Sequence, residues 1–356
     1  MKTEIIKISF ASNDCVPEAS ELEALNRAAE TIRNGGLVVF PTETVYGLGG
    51  DATNPSAAEK IYEAKGRPSD NPLIIHIASS VDAEKYAYTN DLYYKLSERF
   101  MPGPLTVVLK SKPTVPEKTR GGLDTVAVRC PVNPIARRLI SLSGVAIAAP
   151  SANLSGSPSP TKASHVIDDM FGRVDYIIDG GECDFGLEST IVKINDDNTL
   201  CLLRPGKITV DELAEIAPIS VASAVVDKLG KDEIALSPGM KYRHYAPSAP
   251  LVLLDGEVKE CIDYILSEDL PDIAVLCYDE YADLVRRAVP EATVYALGEQ
   301  EDEEAHAHKL FDILRDADKH SFEMIYAPLP RKEGIGLALY NRMIRAAAHT
   351  IINLRR

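Results

Sequence analysis

The sequence contains no uninterrupted apolar run of about 18 residues, so no segment reads as a membrane-spanning helix. Its N-terminal stretch, MKTEIIKISFASNDC, lacks the long apolar core and cleavage pattern of a signal peptide. It has six cysteines (Cys15, Cys130, Cys183, Cys201, Cys261, Cys277) but no CxxC pair, which argues against both a zinc site and a disulfide framework. Scattered, reduced thiols fit a cytoplasmic protein. There is no HExxH, so paired-histidine metal ligation has no support. There is no GxxxxGK[ST] and no GxSxG, which sets aside P-loop enzymes and serine-hydrolase elbows. Positive charge is also scarce: 38 Lys and Arg stand against 53 Asp and Glu, a net charge of −15. Residues 211–356 hold 16 Lys and Arg against 27 Asp and Glu, so −11 of that balance lies in the C-terminal part. Such a chain is a poor candidate for gripping a nucleic-acid backbone over a wide face, although a local basic pocket for a small anion is compatible with it.

What is present begins with GGLVVFPTETVYGLGGDA, residues 35–52. A buried strand over 37–40 stops at Pro41 and delivers Thr42, Glu43, Thr44 and Tyr46 into a loop, followed by Gly47, Gly49 and Gly50. Polar, glycine-rich loops at strand ends are where open α/β sheets place ligands; the plainer alternative is a turn and a second short strand. Helices are expected over 20–34 (Ser20 capping, Glu23 completing a capping box), 56–64, 91–100, 135–142, 163–170 and 208–217. Strands are expected over 37–40, 73–77, 105–109, 125–129, 145–149 and 176–179, with a hairpin of 190–194 and 201–204. The interspersed order predicts a mixed sheet with helices over 1–217. Residues 218–248 lose periodicity and read as a linker. From residue 249 the pattern changes to four βα units, with strands near 251–254, 273–278, 293–297 and 324–329 and a last helix over 337–352. These predict a smaller, Rossmann-like parallel α/β domain over 249–356, without the GxGxxG dinucleotide fingerprint.

Candidate chemistry gathers at strand ends. KGRPSDN (65–71) offers Lys65 and Arg67 as a double cation, with Asn71 behind them, and His76 on the next strand; two solvated surface cations are the plainer reading. Arg129 closes the apolar strand TVAVR and needs a partner, either a carboxylate ligand or a structural Asp or Glu. APSANLSGSPSPT (149–161) offers hydroxyls and free N–H groups in an anion-binding concavity, or else a flexible tether. Ser189 and Thr190 open a strand and Arg204 ends one. In SPGMKYRHYAP (237–247), Lys241, Tyr242, Arg243, His244 and Tyr245 make a basic-aromatic cluster suited to an adenine and its phosphates, or else a tether packed against its own two domains. Anion-binding groups without a nucleophile–base pair favour catalysis by positioning and charge stabilisation on a nucleotide, with Mg²⁺ arriving on the phosphates.

These motifs, with MPGPLTVVL, TVAVRCP, LESTIV and LRPG, resemble the YrdC-like domain of threonylcarbamoyl-AMP synthases, and SPGMKYRHYAP with the C-terminal βα units resembles the two-domain form. The resemblance implies a YrdC-like mixed twisted sheet over 1–217, a lid over the active site at 218–248, and a C-terminal domain over 249–356. It implies synthesis of L-threonylcarbamoyladenylate and pyrophosphate from L-threonine, bicarbonate and ATP, the product then being used by tRNA threonylcarbamoyl-transfer proteins on the adenosine beside the anticodon. By matching motif positions, Thr44, His76, Arg129, Ala149 and Ser189 contact threonine. Arg67, Asn71, Thr125, Ser151, Asn153, Ser159, Arg204 and Tyr242 or Tyr245 contact ATP, and Lys65 and Arg67 act as the catalytic cations. Mg²⁺ comes with ATP rather than on protein side chains, any tRNA contact is weak, and no membrane is involved. An RNA-binding module without chemistry is the competing reading, which the charge disfavours; another carbamoyl or acyl adenylation is the second.

Overall fold

The computed structural model describes residues 2–10, 17–227 and 244–355. The chain divides into two compact units, Met1–Ser155 with Ser159–Lys241, and Gly156–Pro158 with Tyr242–Arg356.

The first unit is built on one sheet of strands β1 (Glu4–Lys7), β2 (Val38–Phe40), β3 (Gly47–Asp51), β4 (Ile74–His76), β5 (Leu105–Lys110), β6 (Thr125–Arg129), β7 (Ile147–Ala148), β8 (Tyr176–Asp179), β9 (Thr190–Ile194), β10 (Leu200–Arg204) and β11 (Ile219–Val221). Their spatial order is β1-β8-β2-β3-β7-β4-β6-β5-β9-β10-β11, with parallel and antiparallel pairs mixed. The mixture follows from the connections: tight turns join antiparallel neighbours such as β9 and β10, while helices carry the chain between parallel ones. Helix α1 (Ala19–Arg33) shows why amphipathic spacing is enough to place it. Ala24, Leu25, Ala28, Ala29 and Ile32 recur on one stripe and are buried. That stripe shares a core with Val38, Phe40, Ile135 and Leu139, so it covers one face of the sheet. Its cap differs from the expected Ser20: Glu18 is the N-cap and Glu21 completes the box, because Glu21 Oε1 is also drawn to the Ser9 N–H at 2.7 Å.

The glycine-rich stretch after the loop is a strand, β3, buried along its whole length between β2 and β7. Glycine is a poor strand former, yet here a side chain has no room. A Cβ on Gly49 would lie 2.7 Å from both Ile147 Cγ2 and Phe40 Cε1. Residues expected to begin the linker instead supply β11, which pairs in parallel with β10.

The second unit holds the five parallel strands β12 (Leu251–Asp255), β13 (Ile273–Cys277), β14 (Thr293–Ala296), β15 (Met324–Pro328) and β16 (Ile351–Asn353), in the order β14-β13-β15-β12-β16. The four βα units are as expected, but the last helix stops early, at Gly336–Ala346. Ala348 and His349 adopt left-handed φ values of 48° and 66°, which breaks the helix, and the β-branched residues that follow form β16 beside β12. Among the described residues no helix is long and apolar enough to cross a membrane.

Candidate active site

Strand registers put the candidate residues in a row. His76 lies opposite Arg129, Arg129 opposite Thr106, Thr106 opposite Ile191, and Ile191 opposite Arg204. Opposed residues on neighbouring strands project to the same face of a sheet. An apolar cluster of Ile74, Val108, Ala127, Ile191 and Leu203 shares that face. Arg204 reaches this face because the β9–β10 register shifts between Leu202 and Arg204. Without that bulge, the alternation of a strand would turn its side chain to the other side.

Each polar member of the row has a defined environment. Arg129 Nη2 donates to Glu43 Oε1 at 2.7 Å, and both side chains are buried. A structural carboxylate, one of the two partners open to Arg129 in the sequence, is thus present beside it. Arg204 donates through Nε to Ser189 O and through Nη2 to Ser189 Oγ, both at 3.1 Å, and Ser189 Oγ lies 2.8 Å from Thr106 Oγ1. Burial, reinforced by the Arg129 charge, pushes the His76 imidazole down to about 3, so it is neutral at physiological pH. The loop before β3 is organised by Thr42, whose Oγ1 accepts from the N–H groups of Thr44 and Val45 and donates to Val45 O. Its single proton thus used, Thr42 can only accept from the Thr44 hydroxyl 2.9 Å away. Ala149 N–H donates to Ile74 O at 2.9 Å, which ties the exit of β7 to β4.

The other candidates form a second set of contacts. Lys65, the last residue of the helix Pro55–Lys65, is buried, and Gly66 follows in the left-handed conformation that ends the helix. The Lys65 ammonium donates to Ser151 O, to Asn153 O at 2.6 Å and to Asn153 Oδ1 at 3.2 Å. Arg67 Nη2 instead donates to Asn71 O at 3.2 Å and Pro72 O at 3.0 Å. Lys65 and Arg67 thus donate to different backbone segments, and both are buried, unlike the solvated surface cations of the plainer reading. Ser151 Oγ donates to Asn153 Oδ1 at 2.5 Å, and Ser159 Oγ to Glu188 Oε1. Thr125 shares the Arg129 face of β6, four residues before it. Ile74 opposes Ala127, so Thr125 and Asn71 belong to the same end of the β4–β6 pair. Tyr242 lies outside the described residues. Tyr245 is a core residue of the second unit, its ring stacked on Phe311 at 5.3 Å with the Arg342 guanidinium 5.6 Å from its centroid.

Sequence reasoning missed Glu43, Thr106 and Glu188 as site members. Glu43 carried a signal, a carboxylate among hydroxyls after a buried strand, in a chain whose Arg129 needed a partner. Thr106 was an isolated hydroxyl inside an apolar strand, which carries little signal. Among the described residues no group of three or more His, Cys, Asp and Glu side chains gathers in a metal-holding arrangement.

Residues 30–206 match the family described as Telomere recombination, and residues 208–348 the family described as Threonylcarbamoyl-AMP synthase, C-terminal domain. The chain is 43% identical over 348 residues to the Threonylcarbamoyl-AMP synthase of Pyrococcus abyssi, a match spanning 95% of this chain and 98% of that one. It is 44% identical over 332 residues to the Bacillus subtilis protein of the same name, covering 92% and 93% of the two chains. Among solved structures it is similar to P. abyssi Sua5 complexed with L-threonine, with a TM-score of 0.87 at 41% identity over 99% of this chain and 100% of that one.

Proposed function

The chain belongs to the threonylcarbamoyl-AMP synthase family, and from that premise we infer that it is a nucleotidyltransferase making threonylcarbamoyl-AMP and pyrophosphate from L-threonine, bicarbonate and ATP. The product serves threonylcarbamoyladenosine modification of tRNA. The observation that carries the reading is the buried polar row His76–Arg129–Thr106–Arg204 beside an apolar cluster on one sheet face, with Thr44 and Glu43 in the adjoining loop. A few convergent polar groups among apolar side chains suit a small zwitterion.

In this reading Thr44, His76, Arg129, Ala149 and Ser189 surround L-threonine, with the Arg129 fork on its carboxylate. Arg67, Asn71, Thr125, Ser151, Asn153, Ser159 and Arg204 surround ATP. The amine attacks the bicarbonate carbon to give a carbamate, whose oxygen then displaces pyrophosphate from the α-phosphate. A carbamate beside a polyphosphate is a like-charge encounter, and Lys65, Arg67 and Arg204 supply the offsetting positive charge. Lys65 acts while anchoring the Ser151–Asn153 loop, so one ammonium both shapes the concavity and charges it. Mg²⁺ enters with ATP and neutralises the polyphosphate. The protein works in the cytoplasm and hands its labile product to separate threonylcarbamoyl-transfer proteins.

Pyrophosphate release tests the reading. It should require L-threonine, bicarbonate and ATP together, and other amino acids or carbamoyl phosphate should not substitute. Equal release without bicarbonate, or with carbamoyl phosphate in its place, would assign a different adenylation.

A further inference from the structure

We propose that Glu43 binds the α-ammonium of the amino-acid substrate and receives the proton that the amine must lose before it reacts. This rests on the reading of the pocket as an L-threonine site. The argument starts from an imbalance in a buried ion pair. Glu43 is 5% exposed and Arg129 4%, and one bond of 2.7 Å joins them. A buried pair is stable only when the remaining lone pairs and protons of both partners are also met. Here they are not: Glu43 Oε2 and Arg129 Nε are buried without a hydrogen-bond partner, and so is His76 Nδ1 on the adjacent strand. Each such atom costs about 1–3 kcal/mol, so three in one neighbourhood imply a polar ligand.

The unmet atoms specify its charge pattern. The anion of the pair has a spare acceptor and the cation a spare donor, and the Glu43–Arg129 bond holds the two side by side. An α-amino acid presents an ammonium and a carboxylate on one carbon, the complementary arrangement. The carboxylate goes to Arg129, which leaves the ammonium to Glu43. His76 is neutral and so adds no charge to repel the ammonium. Four carboxylates are buried among the described residues of this unit, Glu21, Glu43, Asp51 and Glu188. Only Glu43 has a buried oxygen with no partner.

The same placement supplies a step that the site otherwise lacks. An ammonium has no lone pair and cannot attack carbon. It passes one proton to Glu43, giving the free amine and a carboxylic acid. The amine lone pair then forms the N–C bond to bicarbonate, a C–O bond breaks, and the departing hydroxyl leaves as water with the second amine proton. The carbamate remains, and Glu43 returns its proton to solvent before the next turnover.

The test uses the full chain and two ligands, L-threonine and its 2-hydroxy analogue 2,3-dihydroxybutanoate, in which a hydroxyl replaces the amine. Calorimetry on the unmodified protein should give about tenfold or more weaker binding of the analogue. Equal binding of the two would overturn the proposal without any variant. Glu43→Gln keeps the shape and an acceptor for Arg129. It should weaken L-threonine about 10–100-fold, leave the analogue within about threefold, and lower kcat at saturating L-threonine about tenfold or more. Equal losses for both ligands would reduce Glu43 to a structural partner of Arg129, and unchanged L-threonine binding would place the amine elsewhere. If the unmodified protein binds neither ligand, the L-threonine reading itself falls, a different result from any of these.

Discussion

Replacing Lys65 with methionine tests the join between the helix Pro55–Lys65 and the loop of Ser151 and Asn153. Methionine keeps an unbranched stem of similar length and deletes only the ammonium. Lys65 is 3% exposed, so its stem stays packed while three acceptors lose a donor: Ser151 O, Asn153 O and Asn153 Oδ1. A charge-assisted hydrogen bond contributes about 1.5–3 kcal/mol, and a buried acceptor left unmet costs about 1–3 kcal/mol. Some of this is recovered, because the methionine no longer has to desolvate a charge and water can reach the loop carbonyls. The expected net destabilisation is about 2–4 kcal/mol. Urea unfolding followed by circular dichroism, with the first unit's transition fitted separately, reads it out. Pyrophosphate release should fall by about a hundredfold or more, as for loss of one preorganised charge-stabilising group. Lys65→Arg should not rescue, since a planar fork does not fit acceptors placed for a point ammonium. Unchanged stability in Lys65→Met would refute the reasoning, because a buried ammonium bound to three acceptors cannot be removed at no cost.

Arg67→Ala should lower adenylate formation by about a hundredfold or more, and near-normal pyrophosphate release from that variant would remove Arg67 from the catalytic cations. Gly49→Ala should cost about 1–3 kcal/mol, because its Cβ would lie 2.7 Å from Ile147 and Phe40; a melting temperature equal to that of the parent would contradict the packing of β3. His76 gives a pH dependence. Its folded-state value, about 3, lies below the ordinary 6.5, so between these the unfolded chain binds a proton that the native state does not. Its contribution is complete above about pH 6.5 and is lost as pH falls toward 3, at about 1.4 kcal/mol per pH unit. His76→Gln should flatten that part of the stability profile, and an unchanged slope would show that other groups carry it.

The parts of this molecule that were legible in its sequence are those set by local chemistry. The helix at 91–100 and the strand at 125–129 follow from apolar periodicity and are found at those positions. His76, Arg129 and Arg204 stand out because a charged or polar side chain at the end of an apolar strand needs a reason, and Lys65 because a second cation follows it two residues later. What stayed hidden depends on distant partners. The need for the glycines of β3 lies in Phe40 and Ile147, which leave no room for a side chain. β11 forms because β10 offers it an edge. The Glu43–Arg129 bond joins residues 86 positions apart, and the bulge that turns Arg204 onto the site is a property of the β9–β10 register rather than of either strand.

The central claim is tested most directly by the product. The protein, incubated with ATP, L-threonine and carbon-13-labelled bicarbonate and quenched rapidly, should yield an adenylate of the mass of threonylcarbamoyl-AMP carrying one heavy carbon. That species should disappear when L-threonine or bicarbonate is withheld. An adenylate without the label, or none at all while ATP is consumed, would contradict the account.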